Sequence, residues 1–233
     1  HAPEFGDRGQ VDHGAGALGA VFQPVPAVLA TGDKPAFGPQ PVREIERSVQ
    51  RVGLVQVEEL GTIETPIALT NTFAVGTCAT ALVRHAIATN PDIGRRTVTV
   101  NPVVLECNDG FLNDIQALAV AEQDVGAALA TAGPEVAQGA VGAGTGMITM
   151  GHKAGIGTAS RVLDGLGTVG VLLLCNFGGL RDLRLGGVHV GEALACDREQ
   201  QLPPYDTGGS CVGIVMTDLP LDARQLQRVA RRV

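Results

Sequence analysis

The stretch Leu202-Pro203-Pro204-Tyr205-Asp206-Thr207-Gly208-Gly209-Ser210-Cys211-Val212-Gly213-Ile214-Val215-Met216-Thr217 changes character at its middle. Its first half is made of turn residues: two prolines remove backbone donors and two glycines free φ. Its second half is apolar and rich in β-branched residues, as a buried strand requires. The Gly209-Ser210 pair at the junction has a chemical reading. Glycine tolerates the strained backbone that a hydroxyl needs in order to attack its own preceding carbonyl, and the resulting ester hydrolyses to free a chain that begins with serine. Such a serine carries nucleophile and amine together. An unperturbed α-amine has a pKa of about 7.7 to 8.0, so part of it is neutral near pH 7 and serves as general base. Taken locally, the same stretch reads first as a serine in a turn before a strand.

Outward from this strand, the chain shows mixed runs of strands and helices. Residues 168–176 and 183–190 are predicted strands, and 221–233 a helix whose Arg224, Arg228, Arg231 and Arg232 form a solvated face. Toward the N-terminus, 121–132 and 76–89 carry helical apolar spacing, and 97–106 is β-branched and reads as a strand. The short apolar run 66–70 ends in Thr70-Asn71-Thr72, and 54–59 alternates as a half-buried strand does. Val42, Ile45, Val49 and Val52 have the spacing of an amphipathic helix that Gly53 stops, and 20–29 holds one short strand in a loop-rich start. The glycines at 139, 142, 144 and 146 read as a loop. This order is not a strict βαβ alternation, so the fold class is α+β, in a single domain over 1–233.

Composition narrows the function. The chain has 233 residues, of which 45% are hydrophobic but 3% aromatic, so its core rests on Ala, Val, Leu and Ile. With 32 glycines, roughly twice the usual share, backbone elements approach closely. A net charge of -7 and so few aromatics for base stacking argue against nucleic acid. Five widely spaced cysteines, three of them inside apolar runs, suit reduced thiols, and no apolar stretch nears the ~20 residues of a membrane span. The expectation is a soluble, cytoplasmic protein with no membrane partner.

Three familiar sites fail on their details. Gly165-Leu166-Gly167-Thr168-Val169-Gly170 spells a dinucleotide fingerprint but precedes a strand instead of opening a helix, so it is read as a turn. Gly146 and Gly151 have the P-loop interval, with Lys153 displaced by one residue and no Ser or Thr after it. Val212 stands where a nucleophile elbow around Ser210 needs its second glycine. His13, His85, His152 and His189 are isolated and no C-x-x-C or H-E-x-x-H occurs, so neither metal nor cofactor is expected.

Several segments together resemble the self-processing family of L-aminopeptidase D-amidase/esterases and β-peptidyl aminopeptidases, the N-terminal-nucleophile peptidases of family S58. They are Thr65-Pro-Ile-Ala-Leu-Thr-Asn-Thr72, Asp109-Gly-Phe-Leu-Asn-Asp114, Gly142-Ala-Gly-Thr-Gly-Met147, Lys153-Ala-Gly-Ile-Gly-Thr-Ala-Ser160, 169–176, and Gly209-Ser210 through Thr217-Asp218. Six segments in the family's order over about 53–233 make the match specific. The resemblance implies a four-layer αββα sandwich shared with ornithine acetyltransferases, and cleavage into an α chain (1–209) and a β chain beginning at 210. It also implies hydrolysis at the N-terminus of small peptides, amides or esters with a free amino group, by a homo-oligomer of αβ units, a tetramer in the family.

Carried over by position, Ser210 is the nucleophile freed by cleavage after Gly209, and Asn176 is the side-chain donor to the oxyanion. Glu106, Asn108 and Phe111 fall on the substrate side, with Glu106 where β-peptide-cleaving members hold the substrate amine. Asn108 stands where some members have a Tyr that assists the oxyanion. The first fifty or so residues match the family poorly. The family's β chain continues through further strands and a Ser-Gly-Asp/Glu segment; taken as complete, this chain would lack them, as a fragment or an inactive relative would. The rival readings are acyl transfer of the ornithine acetyltransferase type, which normally uses a Thr nucleophile, and a non-catalytic protein keeping the fold.

Overall fold

The computed structural model describes residues 27–31, 53–198 and 209–233. In chain order the strands are β1 Ala27–Thr31, β2 Ile67–Asn71, β3 Val103–Cys107, β4 Ile148–Thr149, β5 His152–Lys153, β6 Ile156–Leu163, β7 Gly167–Asn176, β8 Arg184–Leu185, β9 Val188–His189 and β10 Ser210–Thr217. The helices are α1 Leu54–Leu60, α2 Val75–Thr89, α3 Glu122–Thr131, α4 Val190–Arg198 and α5 Ala223–Ala230. Four strands form an antiparallel sheet in the order β1-β10-β7-β6, β2 and β3 pair in parallel, and β4–β5 and β8–β9 are short hairpins.

Alternation along β3 explains how the layers stack. Val103, Leu105 and Cys107 face a core shared with Leu172 and Leu174 of β7 and Val212 and Ile214 of β10, so one apolar layer lies between the two sheets. Val104 points the other way, into a second core with Val75, Cys78 and Leu82 of α2 and Val125 of α3. A strand covered on both faces needs apolar residues at every position, and β3 is buried throughout. The helix α5 packs against β1 and β10. Its start is fixed by Asp222, whose side chain accepts from the Gln225 amide at 2.7 Å while the Gln225 side chain accepts from the Asp222 amide at 2.8 Å. Arg224 and Arg228 of this helix, and Arg231 and Arg232 just after it, are exposed, as the charge spacing predicts.

Several expectations need correction. Residues 54–59 are helical, not a strand: Gly53 and Gly61, at φ +83° and +66°, supply the left-handed residues that bound one short helix, and Leu54 is buried while Val55 is 73% exposed. Only the end of 97–106 is a strand, because Pro102 has no amide to donate and Val98 stays 81% exposed. Residues 183–190 are not one strand but the hairpin β8–β9, turned by Gly186 and Gly187 at φ +55° and +85°, followed directly by α4. The strand β6 is missing from the sequence reading because it is a partly solvated edge, polar along Thr158, Ser160 and Arg161. The glycine motif at 165–170 includes the turn between β6 and β7, as expected. The predicted helix after Pro41 and residues 20–26 of the predicted first strand lie outside the described residues.

Candidate active site

Register sets the site. In the antiparallel β7–β10 pair, Asn176 at the end of β7 stands directly opposite Ser210 at the start of β10. Both share the sheet face of Leu174 and Val212, which looks toward β3. There the chain leaving β3 closes on them: the Asn108 amide donates to Ser210 Oγ at 3.3 Å. Ser210, Asn176 and Asn108 are thus brought together from three segments.

The Asn176 carboxamide, 9% exposed, is oriented by its neighbours. Its Oδ1 accepts from the Ile148 amide at 3.1 Å, and its Nδ2 donates to the Asn108 carbonyl at 2.7 Å and toward Ser210 Oγ at 3.3 Å. Turning the amide over would set oxygen against a carbonyl and NH2 against an amide N–H, so the donor side faces the serine. Ile148 is held in turn by its pairing with Lys153 in the β4–β5 hairpin. Gly139 and Ile156 exchange backbone bonds of 2.7 and 2.8 Å, and a Cβ on Gly155 would lie 1.9 Å from the Gly139 carbonyl oxygen.

Gly209 is required by close approach: a Cβ there would sit 2.2 Å from Phe177 Cβ and 2.8 Å from the Asn176 carbonyl oxygen. The absence of a side chain therefore lets the bond before Ser210 run against the end of β7.

The Cys107 thiol, on the same face, donates to the Leu174 carbonyl at 3.7 Å. Burial pushes it up to about 12, although the Ser210 hydroxyl acts in the opposite sense. It is a neutral thiol at any ordinary pH and supplies no base. Glu106 is 3% exposed and lies on the helix-facing side of β3, where the Thr72 hydroxyl donates to Oε2. It is therefore a buried carboxylate, and strand alternation sets it on the opposite face of β3 from Cys107. The Asn108 side chain turns back to accept from the Gly110 amide at 2.9 Å, so this residue meets the serine through its main chain. Phe111 is 46% exposed on the turn beyond.

Asp109 was not among the predicted site residues, although it builds that turn. It is 5% exposed, and its Oδ2 accepts from Asn113 Nδ2 at 2.8 Å and Asn71 Nδ2 at 3.3 Å. Its signal is the Asp109-Gly110 turn pair together with Asn71 in the Thr70-Asn71-Thr72 segment. Among the described residues no cluster of His, Cys, Asp or Glu is placed to hold a metal, and no helix is long and apolar enough to cross a membrane.

A hydroxyl at the head of a strand, beside an amide donor locked in one orientation, has the layout of a nucleophile next to an oxyanion hole. The model of peptidase family S58 matches residues 43–233, and the chain belongs to that family. It is 38% identical over 201 residues to the beta-peptidyl aminopeptidase BapA of Sphingosinicella microcystinivorans, covering 78% of this chain and 49% of that protein. Among solved structures it is similar to the PH0078 protein of Pyrococcus horikoshii OT3, with TM-score 0.71 and 40% identity over 93% of this chain and 54% of that one. It is also similar to the L-aminopeptidase D-Ala-esterase/amidase of Ochrobactrum anthropi, described as a variant of the Ntn hydrolase fold. There the TM-score is 0.67 and the identity 36% over 78% of this chain and 50% of that one. The chain spans about half the length of the relatives it matches.

Proposed function

We propose that the protein cleaves itself between Gly209 and Ser210 and then acts as an N-terminal-serine aminopeptidase on small peptides, amides or esters. The observation that carries this reading is the placement of Ser210 Oγ within 3.3 Å of both the Asn108 amide and Asn176 Nδ2. Cleavage begins when Ser210 Oγ attacks the Gly209 carbonyl carbon. The C–N bond breaks, the nitrogen takes up the hydroxyl proton, and water hydrolyses the ester to leave a Gly209 carboxylate and a free Ser210 amine. In turnover that amine accepts the hydroxyl proton as Oγ attacks the substrate carbonyl. The negative oxygen formed one bond from the attacked carbon lies within reach of the donors around Oγ; as it collapses, the substrate C–N or C–O bond breaks, the leaving amine or alcohol takes the proton held by the Ser210 amine, and water then hydrolyses the acyl ester on Oγ. The serine nucleophile and the peptidase relatives favour hydrolysis over acyl transfer.

Glu106, Asn108 and Phe111 form the substrate side in this reading: Glu106 is one residue from the end of β3, and the substrate ammonium reaches its carboxylate past that end and not across the Ser210 face. A buried carboxylate is stabilised by an ammonium partner and penalised when the partner loses its charge. Acetylated alanyl anilide should react at least ~10-fold more slowly in kcat/KM than alanyl anilide, one decade being 1.4 kcal/mol. Glu106→Gln should narrow that gap; equal rates on the two substrates in the wild-type protein would leave a general amidase or esterase. The inter-sheet core, with α2 and α3 outside β2–β3 and α5 against β1 and β10, supports a four-layer αββα arrangement. On the resemblance alone the αβ units form a tetramer, and thiols in apolar strands suit the cytoplasm.

A further inference from the structure

Cys175 and Cys211 are the residues beside Asn176 and Ser210, and the β7–β10 register sets them directly opposite each other. Strand alternation puts them on the reverse face of the sheet from the catalytic pair. Their sulfurs are 3.9 Å apart and both side chains are partly exposed. The backbone of Cys175 is engaged away from β10: its amide donates to the Gly155 carbonyl at 3.5 Å and its carbonyl accepts from the Thr149 hydroxyl at 2.8 Å. In an antiparallel pair this marks a position without ladder bonds between the opposed residues, where Cα atoms stand about 4.5 Å apart, inside the range a disulfide spans.

From this juxtaposition we infer that Cys175 and Cys211 form a reversible cross-strand disulfide when an oxidant such as hydrogen peroxide reaches them, tying the new N-terminus of the β chain to the α chain. The link between chains rests on the cleavage proposed above; the bridge itself does not. The sulfurs need to close by about 1.9 Å to reach the S–S bond length, a movement side-chain rotation supplies. A hydrogen bond from Cys211 lowers the Cys175 pKa against the opposing effect of burial, so Cys175 is the attacking thiolate. Its sulfur attacks one peroxide oxygen, giving a sulfenic acid and hydroxide, which takes up a proton as water. The Cys211 sulfur then displaces the sulfenic oxygen, which leaves as a second water while the S–S bond forms. Two thiols lose two electrons and two protons, and one peroxide is reduced. Cys107 and Cys78 are fully buried, with burial raising the pKa of each, and stay out of the reaction.

Once the Gly209–Ser210 bond is cut, Ser210 is a strand end, held by ladder and core contacts and by the hydrogen bonds to its hydroxyl. A bridge at the next residue anchors it one position from Asn176. The test treats purified protein with hydrogen peroxide, blocks remaining thiols, and weighs the denatured protein with and without reductant. The expected result is one species without reductant, two hydrogens lighter than the sum of the α and β chains that reductant releases. A digest without reductant should join the peptide containing Cys175 to that containing Cys211. Cys175→Ser and Cys211→Ser should each abolish the joined peptide, while Cys196→Ser leaves it. If the protein is not self-cleaved, reductant leaves one chain and the joined peptide still decides the bridge. Oxidised wild-type protein without that peptide, or with Cys175 joined to Cys196, would overturn the inference.

Discussion

The amide of Asn176 works because three neighbours fix it. Ile148 and the Asn108 carbonyl take one orientation of the group, and the Nδ2 proton left over is the one aimed at Ser210. Losing a single oxyanion donor costs on the order of 10²- to 10³-fold in turnover in comparable sites. Asn176→Ala should show that loss in kcat on alanyl anilide with the far-ultraviolet circular dichroism unchanged. Self-cleavage should slow as well, since the same donor meets the oxygen formed at Gly209. Near-normal turnover would assign Asn176 to holding Ile148. The Gly209-Ser210 junction at the head of an apolar strand was legible in the sequence, but the roles of Ser210 and Asn176 came from the family resemblance, since locally Ser210 reads first as a turn serine. Asp109 was less so: its role rests on Asn71 and Asn113, which only the folded turn brings to it.

At the scale of elements, β7 and β10 set the candidate site by carrying an apolar stripe against β3 right up to Asn176 and Ser210. Leu174 is fully buried at the middle of this contact, opposite Val212 and two residues before Asn176. Leu174→Ala should destabilise the protein by about 2–5 kcal/mol, the usual cost of such a cavity, read as a lower urea midpoint at unchanged slope. A change below about 0.5 kcal/mol, typical of surface sites, would contradict a shared core there. Long elements with one dominant period, such as α2, β7 and β10, were readable in advance. The failures were short or bounded by glycine: α1 between Gly53 and Gly61, and the β8–β9 hairpin at Gly186-Gly187, where turn chemistry outweighs local propensity. The solvated edge β6 has no strong apolar alternation, and its pairing with β7 supplies what its sequence does not.

At the scale of the whole molecule, two sheets face each other across one core, with β10 as the strand whose first residue is the proposed nucleophile. The partners of Ser210 come from β7 and the β3 exit, both ahead of residue 209 in the chain, so cleavage leaves its setting intact. An acidic surface, with a net charge of -7, also favours approach of a substrate carrying an ammonium. All of this depends on whether the Gly209–Ser210 bond opens without a protease. The direct measurement is the reduced, denatured intact mass of the purified protein beside its Ser210→Ala variant. The wild type should give two chains whose masses meet at that bond, and the variant a single uncut chain; an uncut wild type, or a variant cut at the same bond, would contradict it.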